Sequence, residues 1–273
     1  MQESQWVFIK QGLGFTGPRK HEFGVSSVEV TLQEGPVTER SRLRIHEVGF
    51  GTGLNALLAM RWAEEHQVNV HFTTLETNVL PMEIAEKLNY CETDIFEEAE
   101  FERSREQTPS QQYTVPERSR GQRSRGQRSR EQTPSQQHTV PERGSTALTN
   151  HRGQKFHERF LLMHSCPWNE DATITSHFTL HKAQRRVQDE QAENLFDVVF
   201  YDAFGPPTQP EMWTLAIFQR MYAALKSDGI FVTYCAKGQV RRDLQAAGFT
   251  VERLPGPPGK REMLRATKPA HHE

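Results

Sequence analysis

The stretch Val48-Gly49-Phe50-Gly51-Thr52-Gly53-Leu54 decides the fold. It follows the segment 43–48, Leu-Arg-Ile-His-Glu-Val, which is predicted to be a strand, and it precedes leucines at helical spacing. Glycines between a strand and a helix let the backbone turn sharply and approach a ligand at the carboxyl edge of a sheet. The dinucleotide fingerprint Gly-x-Gly-x-x-Gly would need glycine where this chain has Leu54, so the loop argues against a nicotinamide cofactor.

Strands and helices alternate along the rest of the chain. Strands are predicted at 43–48, 70–75, 177–182, 196–201, 230–235, 249–254 and 262–266. Helices are predicted at 54–62, 81–90, 156–164, 213–225 and 240–247. This order predicts an α/β protein with a mainly parallel sheet, helices on both of its faces and an antiparallel C-terminal hairpin.

Residues 101–150 interrupt the alternation. The segment 105–118 recurs almost unchanged as 130–143, and the region contains nine Arg, five Glu and no Lys. Two repeats without an apolar face cannot bury a core, so we predict a low-complexity, disordered insertion within a single domain spanning 1–273. Electrostatic contact of its arginines with RNA is the alternative reading.

Composition excludes several classes of protein. The chain has no run of about 18 apolar residues and no secretory signal at its start, which predicts a cytoplasmic protein without membrane contact. Three widely spaced cysteines provide neither a disulfide framework nor a metal site, and we expect them to be reduced and buried. His177 and His181 lack an acidic or cysteine partner at ligand spacing, so no metal is expected.

A second motif, Tyr201-Asp202-Ala203-Phe204-Gly205-Pro206-Pro207, follows the buried strand 196–201. It places a carboxylate, an aromatic ring and a rigid turn where doubly wound sheets bind ligands. A carboxylate there can accept the N–H of an attacking amine, while the ring stacks on a substrate base. We therefore predict that Asp202 is catalytic and that Phe204 and Pro206 bind substrate.

The glycine loop and the acidic residue after the second strand resemble the S-adenosylmethionine site of class I methyltransferases, whose sheet is Rossmann-like. In that superfamily the loop surrounds the methyl donor and the carboxylate accepts the ribose hydroxyls. The resemblance implies that Gly49, Phe50, Gly51, Thr52 and Gly53 bind the donor. It also implies that Glu76 binds the ribose and that Asp189, near the end of a third strand, contacts the adenine.

Segments along nearly the whole chain outside 101–150 resemble one family, the tRNA 5-aminomethyl-2-thiouridine methyltransferases. These enzymes stand alone as MnmD or form the N-terminal half of the bifunctional MnmC. The matching segments are 2–9, 48–58, 200–206, 210–213, 233–238, 240–244 and 256–266. The resemblance implies N-methylation of the 5-aminomethyl group on the wobble uridine of tRNA by direct displacement, without metal. Members carry an N-terminal hairpin before the segment that begins here at Gln2, so we expect an N-terminally truncated domain.

Basic residues near the C-terminus supply the RNA contact that this function requires. The body outside 101–150 carries a net charge of −6, yet the stretch from Lys237 to Lys268 has eight basic and three acidic residues. Lys260 and Arg261 follow a rigid Gly-Pro-Pro-Gly turn that can present both charges to phosphate, so we predict that they bind substrate.

Two other functions stay open at this stage. One is a methyltransferase of the same fold that acts on a different amine, and the other is a truncated, inactive Rossmann-like module. The flavin oxidase half of MnmC would need a further dinucleotide fingerprint, which this sequence lacks. Upstream processing of the tRNA therefore calls for a separate partner, either an FAD-dependent enzyme or another tRNA-modifying enzyme.

Overall fold

The computed structural model describes residues 2–15, 42–91 and 147–270, with side chains from 154 onward in the last range. These residues fall into two compact units. One comprises the described parts of Met1–Leu88 and Glu158–Glu273, and the other comprises those of Asn89–His157. Most of the segment 101–150 lies outside the described residues, so its disorder and the single-domain organisation stay predictions.

An eight-stranded sheet forms the first unit. Its strands are β1 (Leu43–Val48), β2 (Val70–Leu75), β3 (Asp171–Thr175), β4 (Phe178–Ala183), β5 (Phe196–Tyr201), β6 (Leu225–Thr233), β7 (Thr250–Pro255) and β8 (Glu262–Thr267). Their order across the sheet is β3-β4-β2-β1-β5-β6-β8-β7. Neighbours from β4 to β6 are parallel, whereas β3, β7 and β8 pair antiparallel. The predicted α/β sheet with an antiparallel C-terminal hairpin is confirmed.

Helices connect the strands. They are α1 (Gln2–Ser4), α2 (Leu54–His66), α3 (Met82–Ala85), α4 (Ala147–Ser165), α5 (Leu215–Ala224) and α6 (Gly238–Ala246). A π-helical segment, Gln5–Lys10, and a 3₁₀ turn, Leu13–Phe15, follow α1. Two more 3₁₀ turns cover Val187–Asp189 and Pro210–Trp213.

Consecutive residues of β5 show that both faces of the sheet are covered. The ring of Phe200 lies 5.1 Å from that of Phe8, which belongs to the N-terminal π-helical segment. The next residue, Tyr201, points to the opposite face, where its ring lies 5.9 Å from that of Phe218 in α5. Helical segments therefore pack on both faces, as the sequence predicts.

Strand register brings three loops to one edge of the sheet. Val48, the last residue of β1, pairs with Leu75, the last residue of β2. It also pairs with Tyr201, the last residue of β5. Because the carboxyl ends of the central parallel strands are level, the segments that follow them face a common space.

Two predicted elements differ from the structure, and one strand of the structure was not predicted. The helix predicted at 81–90 is reduced to the four residues of α3, where Ile84 is 47% exposed and has no apolar surface to cover. Strand β6 begins at Leu225 rather than at 230, because the predicted Asp228-Gly229 turn is an irregularity within the strand. Edge strand β3 was not predicted, since only its last two residues are buried.

Candidate active site

The glycine loop wraps around the end of β2. The amide N–H groups of Gly49 and Phe50 both donate to the carbonyl oxygen of Leu75, at 3.0 and 3.3 Å. The φ angles of Gly49, Gly51 and Gly53 are 96°, 50° and 73°, which lie in the left-handed region that favours glycine. A Cβ atom built on Gly51 would meet nothing within 4 Å, so this residue faces open space. The backbone is therefore accessible to a ligand at Gly51.

Glu76 lies directly opposite Gly51. Its Oε2 accepts a hydrogen bond from the Gly51 N–H at 3.0 Å, and its Oε1 accepts from the N–H groups of Thr77 and Asn78, both at 2.8 Å. These donors fix the carboxylate at the end of β2. The loop and the acidic residue that the sequence pairs as a donor site are thus adjacent in the structure.

Asp202 follows β5 and closes the third side of the site. Its backbone N–H donates to the carbonyl oxygen of Val48 at 3.2 Å, and its Oδ2 accepts from Asn55 Nδ2 at 2.8 Å. Burial raises the pKa of Asp202 to about 6, although the hydrogen bond from Asn55 opposes this effect. The carboxyl is therefore mainly ionised at neutral pH, yet it can take up a proton without a large cost.

A cleft of about 790 Å³ lies between these segments. Its walls include most of the predicted site residues, namely Gly49, Phe50, Gly51, Thr52, Glu76, Asp202 and Phe204. The Phe204 side chain is 70% exposed at the rim, where a flat substrate can stack on it. One cleft is thus lined by the glycine loop and by Asp202 and Phe204.

Phe50 and Gly53 of the glycine loop mainly pack against α4. Phe50 is 4% exposed, and its ring packs 5.2 Å from the ring of His164. A Cβ atom on Gly53 would approach His164 Nε2 to 3.0 Å, so helix packing excludes a side chain there. Although both residues were predicted to bind the donor, their main contacts hold the loop against α4.

Asp189 and Pro206 do not line the cleft. Asp189 is exposed in a 3₁₀ turn, where both of its oxygens accept hydrogen bonds from Arg186 at 3.1 and 3.2 Å. Gln188, one residue earlier, reaches the cleft instead. The chain makes this 3₁₀ turn after β4 ends at Ala183, and the adenine contact of Asp189 stays a prediction.

Some of the basic residues that were predicted to contact RNA are buried, and others are accessible. Lys268 is 4% exposed, and its Nζ donates to the Asn194 side chain and to the Leu225 carbonyl oxygen. Arg265 is 6% exposed and forms an ion pair with Glu252. These two residues stabilise the sheet and are not available to RNA, which corrects the prediction for the whole set.

The Gly-Pro-Pro-Gly turn leads into Lys260 and Arg261, which are both exposed. Lys260 Nζ forms an ion pair with Glu3 and lies 4.3 Å from the centroid of the Tyr234 ring. Lys260 and Arg261 also line a shallow hollow with Lys237. Lys260 is therefore already paired by a carboxylate, and an anionic ligand would have to displace Glu3 to bind it.

Sequence analysis missed two buried polar residues beneath Asp202. Asn55 is 4% exposed and Glu47 is fully buried. Asn55 holds the Asp202 carboxylate, as described above, and burial raises the pKa of Glu47 well above its ordinary value. The sequence offered one signal for both residues. Each is polar at a position where its helix or strand should present an apolar side chain to the core.

The histidines and cysteines form no recognisable metal centre in the described part of the chain. No group of three or more potential ligands occurs within 2–15, 42–91 and 147–270. His177 pairs with Asn69, whereas His181 pairs with Asp171, so the two histidines do not share a ligand. The three cysteines are buried as expected, and none forms a disulfide.

Comparison with known proteins identifies the class to which this arrangement belongs. Residues 151–269 match a family described as S-adenosyl-L-methionine-dependent methyltransferase. The match covers less than half of the chain, and over that segment the chain is similar to this family. The glycine loop and Glu76 lie outside the matched segment, so the match does not depend on them.

Curated relatives share a short, well-matched segment with this chain. A protein of Actinobacillus pleuropneumoniae serotype 5b, named tRNA 5-methylaminomethyl-2-thiouridine biosynthesis bifunctional protein MnmC, is 41% identical over 80 residues. A protein of the same name from Nitrosospira multiformis is 45% identical over 73 residues. These segments cover 29% and 27% of this chain and 12% of each relative. The matches thus span about an eighth of the relatives' length.

A solved structure shares the fold. The crystal structure of MnmC2 from Aquifex aeolicus has a TM-score of 0.50 and 22% sequence identity, and the match covers 86% of this chain and 57% of that one. The chain therefore shares the α/β fold of that structure, as its sequence predicts. Within the described residues, no helix combines the length and the apolar character needed to cross a membrane.

The cleft fits S-adenosylmethionine, the methyl donor of this family. Its volume of about 790 Å³ is large enough for a nucleoside-sized ligand. The open space at Gly51 would admit the donor close to the backbone, and Glu76 offers carboxylate oxygens to hydroxyl groups. Gly49, Gly51, Thr52 and Glu76 are the residues that would hold the donor.

Proposed function

We propose that this methyltransferase methylates the amino nitrogen of the 5-aminomethyl group on the wobble uridine of tRNA. One observation carries the proposal: a carboxylate, Asp202, is held by Asn55 at the cleft between the glycine loop and an exposed aromatic ring, Phe204. An amine placed there would have the donor on one side and a hydrogen-bond acceptor on the other. The MnmC names of the relatives support tRNA as the source of that amine.

Asp202 would both aim and stabilise the amine. A primary amine attacks a methyl group only when it is neutral, so its lone pair must point at the carbon. The carboxylate accepts one N–H of the amine and stabilises the positive charge that develops on nitrogen. Because the pKa of Asp202 is raised to about 6, the same group can take the proton that the methylated nitrogen releases. S-adenosylmethionine supplies the methyl group by direct displacement.

Phe204 and the basic hollow would recognise the nucleic acid. A ring that is 70% exposed offers a stacking surface for the unstacked wobble base. Lys237 and Arg261 border the neighbouring hollow, where they can contact phosphate. We place the reaction in the cytoplasm, with a separate FAD-dependent or other tRNA-modifying enzyme that supplies the aminomethyl group.

The test is single-turnover transfer of labelled methyl to tRNA that carries the unmethylated aminomethyl group. Transfer should occur to this tRNA and not to a matched tRNA that lacks the group. Asp202→Asn should lower the rate by roughly a hundredfold, the scale for loss of one preorganised electrostatic group. Calorimetric titration with S-adenosylhomocysteine should give similar affinities for both proteins, and absence of donor binding would instead favour an inactive module.

A matched pair of charge variants separates tRNA from a different amine substrate. Replacing Lys237 and Arg261 together by Gln should raise the Kd for tRNA and leave donor affinity unchanged. The control replaces Arg253, a β7 residue that is paired with Glu262 of β8, by Gln. This change should alter neither the Kd for tRNA nor the donor affinity. Unchanged tRNA binding and transfer in the double variant would count against recognition of tRNA through this hollow.

A further inference from the structure

The last turn of α4 lies against the glycine loop. The Nε2 atom of His164, one residue before the end of α4, lies 3.2 Å from the carbonyl oxygen of Thr52. Thr52 belongs to the loop and lines the cleft, whereas His164 does not line it. We propose that His164 is a positioning residue of the donor site, which holds the Thr52 carbonyl through its Nε2–H group and so fixes the conformation in which the glycine loop binds the donor.

The partners in this contact decide which ring nitrogen of His164 carries the hydrogen. A carbonyl oxygen can only accept, so Nε2 must donate. Burial lowers the pKa of His164, the hydrogen bond with Thr52 partly opposes burial, and the positive charge of Lys182 lowers that pKa further. At neutral pH the ring is therefore neutral and has one N–H group. That group is directed at the glycine loop.

Packing on two sides holds the His164 ring in this orientation. The ring of Phe160, one turn earlier in α4, lies 4.7 Å from it, and the ring of the loop residue Phe50 lies 5.2 Å from it. A Cβ atom built on Gly53 would come within 3.0 Å of Nε2. The ring is thus adjacent to the loop at Phe50, Thr52 and Gly53, so this half of the loop and the end of α4 cannot move independently.

Lys182 of β4 anchors the end of the helix that carries His164. Its side chain is fully buried, and its Nζ donates to the His164 carbonyl oxygen at 2.7 Å. A cation at the carboxyl end of a helix stabilises the last carbonyl groups. Nζ also lies 4.8 Å from the centroid of the Trp168 ring and 5.8 Å from that of Phe50. The position of His164 is therefore set from a strand of the sheet.

The contact completes the support of the glycine loop. Leu75 and Glu76 hold the first half of the loop through the hydrogen bonds described above. His164 holds the second half at Thr52. A segment with three glycines loses much conformational freedom when it is ordered, so a loop that is held in place before the donor arrives should bind it more tightly. This role rests on the donor site of the proposed function, but it does not depend on tRNA.

Two substitutions separate the N–H group from the packing of the ring. His164→Phe keeps a ring between Phe50 and Phe160 and removes the N–H group. His164→Gln removes the ring but offers an amide nitrogen about as far along the side chain as Nε2. Titration calorimetry with S-adenosylhomocysteine should give a Kd about threefold to tenfold higher for His164→Phe, the scale of one neutral hydrogen bond, and a Kd within about twofold of the wild type for His164→Gln. Equal Kd values for the wild type and His164→Phe would overturn the proposal.

His66 provides a matched control. Its Nδ1 makes the same kind of contact with the carbonyl oxygen of Trp62, at the other end of α2 and on the order of 20 Å from the glycine loop. His66→Phe should leave donor affinity unchanged, and thermal melts should show similar stability for all variants. In His164→Phe the loss should appear in the KM for the donor and not in kcat, because Asp202 is untouched. A lower kcat with an unchanged donor KM would contradict this role.

Measurements on the unliganded full chain test the contact itself. In NMR spectra of protein with ¹⁵N-labelled histidine at neutral pH, the ring signals that His164→Phe removes should show the hydrogen on Nε2. The Gly53 amide, which donates to the Phe50 carbonyl oxygen at 2.8 Å, should exchange its hydrogen faster in His164→Phe than in the wild type. A hydrogen on Nδ1, or equal exchange rates, would overturn the proposal.

Failure of this role can be distinguished from failure of the proposed function. If the wild type did not bind S-adenosylhomocysteine, the donor site and the role of His164 would both be refuted. If donor binding weakened in His164→Phe as expected but the wild type transferred no methyl to tRNA, only the proposed function would be refuted.

Discussion

At the scale of single residues, Asp202 is partly buried and also lines the cleft. Burial raises its pKa to about 6, while the hydrogen bond from Asn55 keeps the ionised form available. The ionised form is the one that accepts an amine N–H. The rate of methyl transfer should therefore depend on pH near the pKa of this group.

The first prediction concerns that pH dependence. The single-turnover rate should rise with pH and reach half of its plateau near pH 6, because Asp202 loses its proton there. In Asp202→Asn the remaining slow reaction should lack this limb. A wild-type profile that is flat from pH 5 to 8 would show that Asp202 does not need to be ionised.

The second prediction concerns the glycine that faces the cleft. Gly51→Asp should abolish donor binding, since its side chain would enter the open space that the donor needs, and its φ of 50° disfavours any side chain. Gly259→Asp is the matched control, because Gly259 also has a positive φ of 88° and open space. Calorimetry with S-adenosylhomocysteine should distinguish them; equal affinities would remove Gly51 from the donor site.

Some site residues were predictable from sequence and others were not. The glycine loop, Glu76 and Asp202 follow strands, so their positions at one edge follow from the alternation of elements. Asn55 and Glu47 are polar residues inside elements, and their meeting depends on the register between strands and on helix packing. No local pattern encodes that register.

At the scale of elements, the same reasoning explains which parts of the fold were predicted. Strand β5 is mostly apolar because both faces of the sheet are covered, whereas β1 also carries the buried polar residues His46 and Glu47. Helix α3 and edge strand β3 have few buried side chains, so their limits depend on neighbours and not on their own pattern. Whether a basic residue is buried or exposed also depends on the element that carries it. Lys268, which follows β8, is buried and donates to the Leu225 carbonyl oxygen.

The third prediction tests the structural role of Lys268. Lys268→Met should lower the free energy of unfolding by about 2 kcal/mol, because it removes hydrogen bonds from a buried charged group to Asn194 and to the Leu225 carbonyl. Arg253→Ala, which breaks an exposed ion pair, should cost less than about 1 kcal/mol. Denaturant titration gives both values. Reduced tRNA affinity with normal stability in Lys268→Met would restore this lysine to the RNA-binding set.

At the scale of the whole molecule, the segment 101–150 is the feature that departs most from the pattern around it. It holds a charge of +4 against −6 for the remaining residues. All residues that line the cleft lie at positions 4–80 or 185–212. The described walls of the cleft thus come from both sides of the repeated segment in the sequence.

The fourth prediction is that deletion of residues 104–143 leaves cooperative unfolding and donor affinity intact. A polar segment contributes little burial, and shortening it changes closure entropy by less than about 1 kcal/mol. The matched control keeps the length and replaces the arginines of that segment by Gln. Loss of cooperative unfolding after deletion would place the segment in the core, whereas reduced tRNA affinity in both variants would revive its contact with RNA.

Because β1 pairs with β5, the active site can form only after β5 has been synthesised. Ile45 pairs with Val198, and the amide of Asp202 bonds to Val48 at the base of the glycine loop. A nascent chain therefore carries its glycine loop without the strand that completes the cleft. At roughly 5–20 residues per second, this interval lasts on the order of ten seconds. During that time the apolar strands β1 and β2 lack their later neighbours, so this is when the chain has most need of chaperones.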